Sequence, residues 1–308
     1  MKRILCLIFT IFSALLSVSC FKIDLGEPIC VFLDNSGYEV KLYSKPKNVA
    51  VLFSSFAEMW NLAGGHTSIT VGESVERGFV PQGTKLVDGG AGKQINVELL
   101  VSYKPDFVIA SSDIPKQVEA VSFLRSQGVP CALFKVDSFL DYKNAMQKLT
   151  QVTENQTAYE TNVLQVENEI ANQKQRINAT NAKKILFLRA FSTGAKAKAS
   201  NDNFVCKMLN ELYAENIADE APVLLDGLNE EVILINNPEI IFISTMGSEQ
   251  SAKNYIENYF STTLSSLSAV KNNSFYYLDK NLFHFKPNAR WYLAYKTLID
   301  IILNEYEN

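Results

Sequence analysis

Apolar runs of strand length alternate with helix-period segments along the first half of the chain. Residues 29–44 contain two β-rich runs around Asp34-Asn35-Ser36-Gly37, a turn sequence that predicts a β-hairpin. Beyond the hairpin, the alternation is typical of a mostly parallel sheet covered by helices. The pattern predicts strands at 48–53, 69–74 and 131–136, helices at 54–63 and 116–127, and a helix followed by a strand within 95–112.

The middle of the chain has a different pattern. It lacks Gly and Pro from residue 142 to 177, and apolar residues recur there at helical spacing, namely Tyr159, Val163, Val166 and Ile170. We predict one helix at about 154–177, roughly 36 Å long at 1.5 Å per residue. A coiled-coil dimer is the alternative for such a segment, but the heptads are too few and too irregular for one.

The alternation resumes after this helix. It predicts strands at 185–190, 240–245 and 275–279, and helices at 202–214, 229–235, 250–260 and 289–306. The predicted fold class is therefore α/β, with two lobes joined by one long helix. We divide the chain into a targeting segment (1–19), a first lobe (20–153), the connecting helix (154–178) and a second lobe (179–308).

One sequence pattern occurs once in each predicted lobe. Residues 95–112 read INVELLVSYKPDFVIASS and residues 229–245 read NEEVILINNPEIIFIST. The matched pairs are Asn96 and Asn229, Glu98 and Glu231, Pro105 and Pro238, and Asp106 and Glu239. The asparagines are good helix N-caps, and an acid in the first turn favours the helix dipole by up to about 1 kcal/mol. A duplicated capping device could therefore explain the repeat without any function.

The N-terminus predicts export. Lys2 and Arg3 precede an apolar stretch too short for a comfortable membrane span, and Ser17-Val18-Ser19-Cys20 follows. A small residue before a cysteine resembles a bacterial lipoprotein processing site, although Ser17 replaces the usual leucine. We expect Cys20 to be lipidated and to anchor the protein in a membrane facing the periplasm or cell exterior. A plain signal peptide cut nearby is the alternative.

Charge and cysteine content narrow the function classes. Without residues 1–19 the chain has 27 basic and 33 acidic residues, a net charge of −6, which disfavours nucleic-acid binding. Beyond Cys6 and Cys20 there remain three cysteines, Cys30, Cys131 and Cys206, and no CxxC pair. We interpret them as buried free thiols rather than as a metal or redox site.

Together these features resemble class III periplasmic binding proteins, the substrate-binding components of ABC importers for ferric siderophores, haem and vitamin B12. The resemblance covers nearly all of the mature chain, and INVELLVSYKPDFVIA and FHFKPNARWYLAYKTL are its most specific parts. It implies two Rossmann-like lobes with a ligand cleft between them, a permease dimer with its ATPase as partner, and a monomeric carrier without an intrinsic cofactor. It also implies that Glu98 and Glu231 dock onto arginines of the permease.

Ligands of open α/β sheets bind beyond the carboxyl ends of the strands, so residues just after each predicted strand are candidates for the cleft. Aromatic, polar and cationic groups there would suit a bulky, partly apolar, anionic chelate. The candidate ligand-binding residues are Ser55, Phe56, Glu73, Arg77, Ser112, Asp113, Phe191, Met246, Phe283, His284 and Lys286. Arg77 could equally be a solvated loop charge, His284 a rim residue, and we interpret Arg290 as structural.

Three other functions remain as alternatives. A site for bare Zn²⁺ or Mn²⁺ usually needs several histidines, and the chain has only His66 and His284. An enzyme is not predicted. Segment 88–94 is similar to a phosphate-binding loop, but the residue before it, Val87, stands where the first Gly of that motif should be, and Gln94 replaces the Ser or Thr. A ligand sensor without transport differs from an importer component only through the paired glutamates.

Overall fold

The computed structural model describes residues 26–88 and 94–304. The predicted targeting segment, Cys20 and most of the phosphate-loop-like segment therefore lie outside the described residues. The described strands are Cys30–Leu33, Glu39–Leu42, Val49–Val51, Thr67–Thr70, Lys85–Leu86, Phe107–Ser111, Cys131–Phe134, Lys184–Phe191, Gly194–Ala197, Glu215–Asn216, Ile240–Thr245 and Phe275–Tyr277. The described α-helices are Ser54–Leu62, Gly72–Glu76, Val97–Ser102, Pro115–Ser126, Phe139–Thr153, Gln156–Tyr159, Gln165–Lys174, Phe204–Glu211, Ile217–Glu220, Val223–Asp226, Glu230–Asn236, Glu249–Thr262, Ser268–Lys271, Lys280–Phe283 and Trp291–Ile302.

The first lobe is built on a parallel sheet. Its strand order is Lys85–Leu86, Thr67–Thr70, Val49–Val51, Phe107–Ser111 and Cys131–Phe134. Every residue of the last three strands is buried, because helices cover both faces of the sheet. This explains why these strands read as continuous apolar runs rather than as alternating ones.

The predicted strand at 69–74 is wrong beyond Thr70. Gly72–Glu76 forms a helix instead, and the Gly72 N–H donates to both carboxylate oxygens of Asp88 (3.0 and 2.9 Å). A carboxylate at this position satisfies an N–H that the helix leaves without an intrahelical partner, and it interacts favourably with the helix dipole. The chain therefore turns into a helix immediately after the strand, which brings Glu73 and Arg77 to the carboxyl end of the sheet.

The second lobe has its own sheet around Lys184–Phe191. The parallel order is Glu215–Asn216, Lys184–Phe191, Ile240–Thr245 and Phe275–Tyr277. Gly194–Ala197 pairs antiparallel with the end of Lys184–Phe191, a hairpin that the sequence did not predict. Its residues, Gly-Ala-Lys-Ala, carry little β-propensity, so only tertiary pairing identifies them as a strand.

The predicted connecting helix is present but shorter. Glu154 adopts a left-handed conformation (φ 56°) and ends helix Phe139–Thr153, and Asn155 then caps the next helix by accepting from the Ala158 N–H (3.0 Å). Helical structure continues from Gln156 to Lys174, with a π-helical turn at Glu160–Leu164. The apolar residues predicted at helical spacing face the core, with Val163, Val166 and Ile170 buried.

The described residues form three hydrophobic clusters, one inside each lobe and a third that extends through both. Trp291, wholly buried at the start of the last helix, packs edge-on against Phe139 of the first lobe and Phe204 of the second, with ring centroids 6.3 and 5.7 Å apart. The helix Trp291–Ile302 also packs along the connecting helix segment Gln165–Lys174. The lobes are therefore joined by packing as well as by the chain.

The N-terminal hairpin is confirmed, with Cys30–Leu33 antiparallel to Glu39–Leu42. In its turn, Asp34 accepts hydrogen bonds from the N–H groups of Ser36 (2.8 Å) and Leu133 (2.8 Å) and is ion-paired with Arg125. Burial acts to raise the pKa of Asp34, but these donors outweigh it and hold the pKa below its usual value. This buried carboxylate fixes the hairpin to the edge of the first sheet.

Candidate functional site

The junction between the lobes is crossed by residues 285–290, which return from the second lobe to helix Ser54–Leu62 of the first. Asn288, itself in a left-handed conformation (φ 53°), donates from Nδ2 to the Ser55 carbonyl (2.9 Å) and to Glu58 Oε2 (2.7 Å). Arg290 donates to both oxygens of Glu58, at 2.7 and 3.1 Å. Glu58 is only 8% exposed, so it is a buried carboxylate tied to the opposite lobe by three hydrogen bonds. Arg290 is structural, in agreement with the sequence interpretation.

Arg77 lies beside this junction and is not a solvated loop charge. Its Nη1 donates to the hydroxyls of Ser54 (2.9 Å) and Ser55 (3.1 Å), and the Ser54 hydroxyl in turn donates to Glu73. Burial lowers the pKa of the Arg77 guanidinium, while the neighbouring carboxylates of Glu58 and Glu73 oppose that shift. The cation is therefore held in place at the carboxyl ends of the first sheet.

Two aromatic rings lie against the same guanidinium. Its central carbon lies 4.5 Å from the ring centroid of Phe79 and 3.8 Å from that of Phe285. Phe79 belongs to the first lobe and Phe285 to the second, so the cation–π contacts span the junction. Sequence reasoning missed both rings, because Phe285 is distant in sequence and Phe79 follows a helix that was predicted as a strand.

Lys286, a predicted ligand-binding residue, lies at the junction, where its ammonium group already contacts other side chains. Its Nζ lies 3.0 Å from Asp137 Oδ1 and 5.0 Å from the ring centroid of Phe204. Lys135 and Lys207 also approach Asp137, at 3.3 and 3.8 Å. Burial acts to raise the pKa of Asp137, but these lysines, Lys286 foremost, hold it below its usual value. Asp137 could not be identified from the sequence, because two of its three lysine partners, Lys207 and Lys286, lie in the other lobe.

Two predicted cleft residues belong to the core instead. Phe56 is 1% exposed and packs edge-on against Phe134 (6.3 Å), and Phe283 is 3% exposed. The assignment of Phe56 was wrong because helix Ser54–Leu62 is buried on nearly every side, so it has no solvent face for the sequence to reveal. Phe283 turns inward while its neighbours His284 and Phe285 remain half-buried at the junction.

The remaining candidates lie at strand ends of both lobes. Ser112 and Asp113 follow the strand Phe107–Ser111, and Asp113 is exposed with its carboxylate 3.5 Å from Lys135. Phe191 and Met246 are half-buried at the ends of the two central strands of the second sheet, and His284 contacts Phe285 edge-on with ring centroids 4.7 Å apart. The structure therefore presents polar and aromatic groups from each lobe at the sheet ends where ligands of such folds bind.

The repeated motif forms the same local structure in both lobes. Asn96 accepts from the Leu99 N–H (2.9 Å) and Asn229 from the Val232 N–H (3.0 Å), so both are helix N-caps as predicted. Glu98 and Glu231 are each the second residue of the helix that follows, and both are exposed. The carboxylates are therefore presented to solvent at equivalent places on the two lobes.

The proline half of the motif has a structural role. The residue before each proline is left-handed, Lys104 at φ 50° and Asn237 at φ 43°. The acid after each proline then anchors the start of the central strand: Asp106 accepts from the Asn48 N–H (2.9 Å), and Glu239 accepts from the Lys184 N–H (3.2 Å). This half of the repeat is thus explained by folding alone. Among the described residues, the exposed side chains of Glu98 and Glu231 have no recorded hydrogen-bond or ion-pair partner, and their structural contribution is the interaction with the helix dipole.

Other features of the described residues limit the chemistry. Residues 26–88 and 94–304 contain no group of three or more His, Cys, Asp or Glu side chains that could hold a metal ion. Cys30, Cys131 and Cys206 are buried free thiols, as interpreted, and burial raises the pKa of Cys131 to about 12. In the part of the chain that the structure describes, no helix is both long enough and apolar enough to cross a bilayer.

Comparison with known proteins identifies the class. Residues 49–282 match the family model described as periplasmic binding protein, and the chain therefore belongs to that family. It is 25% identical over 245 residues to a vitamin B12-binding protein of Photorhabdus laumondii, covering 77% of this chain and 83% of that protein.

Solved structures confirm the predicted fold. The Staphylococcus aureus protein SirA complexed with staphyloferrin B aligns with a TM-score of 0.65 at 18% identity, covering 89% of this chain and 97% of that one. The periplasmic haem-binding protein RhuT of Roseiflexus, in apo form, aligns with a TM-score of 0.66 at 18% identity, covering 84% and 98%. The protein is thus a periplasmic binding protein with the two-lobed fold of these structures.

Proposed function

We propose that this protein captures a metal chelate outside the cytoplasm and delivers it to an ABC permease. The observation that carries the proposal is the junction itself, where Arg77, Phe79 and Phe285 bring a cation and two aromatic rings to the strand ends of a periplasmic binding protein fold. Such a surface suits a ligand that is bulky, partly apolar and anionic. We propose an iron chelate of the siderophore type as the substrate.

Haem or a corrinoid such as vitamin B12 is the second candidate within the same class. It is favoured by the Photorhabdus relative, whose name states vitamin B12 binding, and by the likeness to the Roseiflexus haem-binding protein. A bare Zn²⁺ or Mn²⁺ ligand is less favoured, because the described residues offer no cluster of metal-binding side chains. A chelated metal brings its own ligands and needs none from the protein.

We further propose that Glu98 and Glu231 dock onto a two-fold permease. Their equivalent, exposed positions on the two lobes support this, and neither glutamate is needed to explain the folding of its helix, which the asparagine cap begins. A sensor that binds ligand without transport would not require a matched pair of carboxylates. The protein acts as a monomeric carrier without catalytic residues or nucleic-acid partner.

The localisation and the domain division also belong to the proposal. We propose that residues 1–19 are removed on export and that Cys20 carries the lipid anchor. The lobes then span 20–153 and 179–308 around the connecting helix 154–178. Mass spectrometry of membrane-extracted protein tests the anchor, and an unmodified Cys20 would contradict it.

Native mass spectrometry of the mature protein with Cys20→Ser tests the ligand class. The panel is a set of ferric siderophores, haem, cobalamin and free divalent metals. We expect one chelate to form a 1:1 adduct, which also names the substrate. An adduct with bare metal alone, or with nothing in the panel, would refute the chelate proposal.

A further inference from the structure

The guanidinium of Arg77 has two hydrogen-bond donors that are buried and unsatisfied in the described part of the chain. Its Nε and Nη2 atoms are both buried, and neither has a hydrogen-bond partner among the described residues. A buried donor without a partner costs about 1–3 kcal/mol, and more when the group is charged. Such a group calls for a functional explanation, because nearly all buried donors in native structures are satisfied.

The two unpartnered atoms form one edge of the guanidinium plane. On that edge the Nε–H and one Nη2–H point in parallel, the geometry that takes a carboxylate or phosphate in two parallel hydrogen bonds. In the described residues, three other arginines leave a buried nitrogen without a partner, but each leaves only Nε: Arg125, Arg189 and Arg290. Arg77 therefore differs from them in offering the complete two-donor edge.

The rest of the guanidinium is already fixed. Nη1 is held by the hydroxyls of Ser54 and Ser55, and the plane lies over the rings of Phe79 and Phe285. Internal carboxylates do not take the vacant edge, since Glu58 is bound by Asn288 and Arg290, and Glu73 accepts from Ser54. The donor edge is thus oriented in advance, and none of the described side chains accepts a hydrogen bond from it.

We propose that the Nε–Nη2 edge of Arg77 binds an oxyanion of the transported ligand, a carboxylate or a phosphate group, in two parallel hydrogen bonds. This rests on the proposed function and adds the chemical group that the ligand must carry. Because Phe79 and Phe285 come from opposite lobes, a change in lobe separation opens or covers the edge. The two rings then contact the apolar part of the ligand next to its oxyanion.

The test compares Arg77→Lys, which keeps the charge but removes the two-donor edge, with Lys183→Arg, which also exchanges one cation for another. Lys183 pairs with Glu239 and directly precedes strand Lys184–Phe191, so it lies at the amino end of the second sheet, opposite to the strand ends where the ligand is expected. Four probes are titrated by calorimetry: ferric citrate, which carries carboxylates; cobalamin, which carries a phosphodiester; cobinamide, which lacks it; and a ferric trihydroxamate without carboxylates. Binding of ferric citrate would indicate that the oxyanion is a carboxylate, and binding of cobalamin would indicate a phosphate group.

We expect Arg77→Lys to weaken binding of one oxyanion probe about 10- to 100-fold, as loss of one charge-assisted hydrogen bond predicts, while Lys183→Arg changes it less than about 2-fold. If an oxyanion probe binds and both variants retain its affinity, the proposal is overturned. The same holds if only cobinamide or the trihydroxamate binds.

A second measurement decides the case in which no probe binds. Iron-free citrate is titrated into protein labelled with ¹⁵N-arginine, and the Nε–H resonance absent from Arg77→Lys identifies Arg77. A shift of that resonance on adding citrate would uphold the oxyanion edge while refuting chelate transport. No shift would overturn both.

Discussion

Removal of the buried carboxylate at the lobe junction should destabilise the protein substantially. Glu58→Ala deletes the acceptor of three hydrogen bonds, one from the wholly buried Asn288 and two from Arg290. Hydrogen bonds to charged groups contribute about 1.5–3 kcal/mol each. The two from Arg290 count for less, because its side chain is 37% exposed and can be hydrated once released.

Asn288 keeps its bond to the Ser55 carbonyl, but its second Nδ2–H loses its acceptor, and its Oδ1 has no partner among the described residues. Hydration of the released Arg290 still limits the loss. The expected loss in free energy of unfolding is therefore about 2–4 kcal/mol, below the sum of the three bonds. Each kcal/mol should lower the Tm by about 2–4 °C in a chain of this size. A single cooperative transition is expected, because one core spans both lobes.

Urea denaturation followed by tryptophan fluorescence measures this, since Trp60 and Trp291 are both buried. The matched control is Glu249→Ala, which breaks a half-exposed surface pair with Lys253 at 2.8 Å and should cost at most about 1 kcal/mol. If Glu58→Ala cost no more than Glu249→Ala, the inference that this carboxylate ties the lobes together would be wrong.

Three further predictions concern acid stability, docking and lobe motion. The pKa of Asp34 is depressed in the folded state, so its contribution to stability is complete above its unfolded pKa of about 3.9 and is lost as the pH falls below that value. Asp34→Asn should therefore destabilise the protein by about 1–3 kcal/mol at pH 7 and by less at pH 3. An equal loss at both pH values in denaturation curves would contradict this. Glu98→Ala combined with Glu231→Ala should abolish ligand uptake in a deletion strain without changing ligand affinity. The neighbouring control variant, Glu230→Ala, should support normal uptake. Normal uptake by the double variant would refute the docking role. Ligand addition should change the small-angle scattering profile only slightly, because the junction and the connecting helix resist a wide hinge, and a large change in radius of gyration would contradict that expectation.

Local patterns in the sequence were enough to predict the lobes. The strands Phe107–Ser111 and Ile240–Thr245 are buried on both faces, so each reads as an unbroken apolar run. The caps Asn96 and Asn229 were also predictable, because a helix N-cap depends only on residues within one turn.

Contacts between distant parts of the chain were beyond such patterns. Arg77 and Phe285 meet only because both lobes place them at the junction, and nothing near either residue indicates the other. The left-handed turn at Glu154 is equally hidden, since glutamate normally favours continuing a helix. Prediction therefore succeeded where structure is set by neighbours in sequence. It failed where structure depends on distant residues, either within one lobe, as for Gly72 and Asp88, or between lobes, as for Arg77 and Phe285.

The position of Trp291 limits the ways in which proteins of this family can evolve new ligand specificities. Its indole contacts aromatic rings of both lobes, so neither half of the chain has a complete interior by itself. A chimera that joined residues 26–153 to the second lobe of a relative would pack Phe139 against aromatic rings from another protein, and these rings have not evolved to be complementary to it. We therefore expect new ligand preferences to arise by substitution at the rim of the junction, and exchange of whole lobes between family members to yield unfolded hybrids.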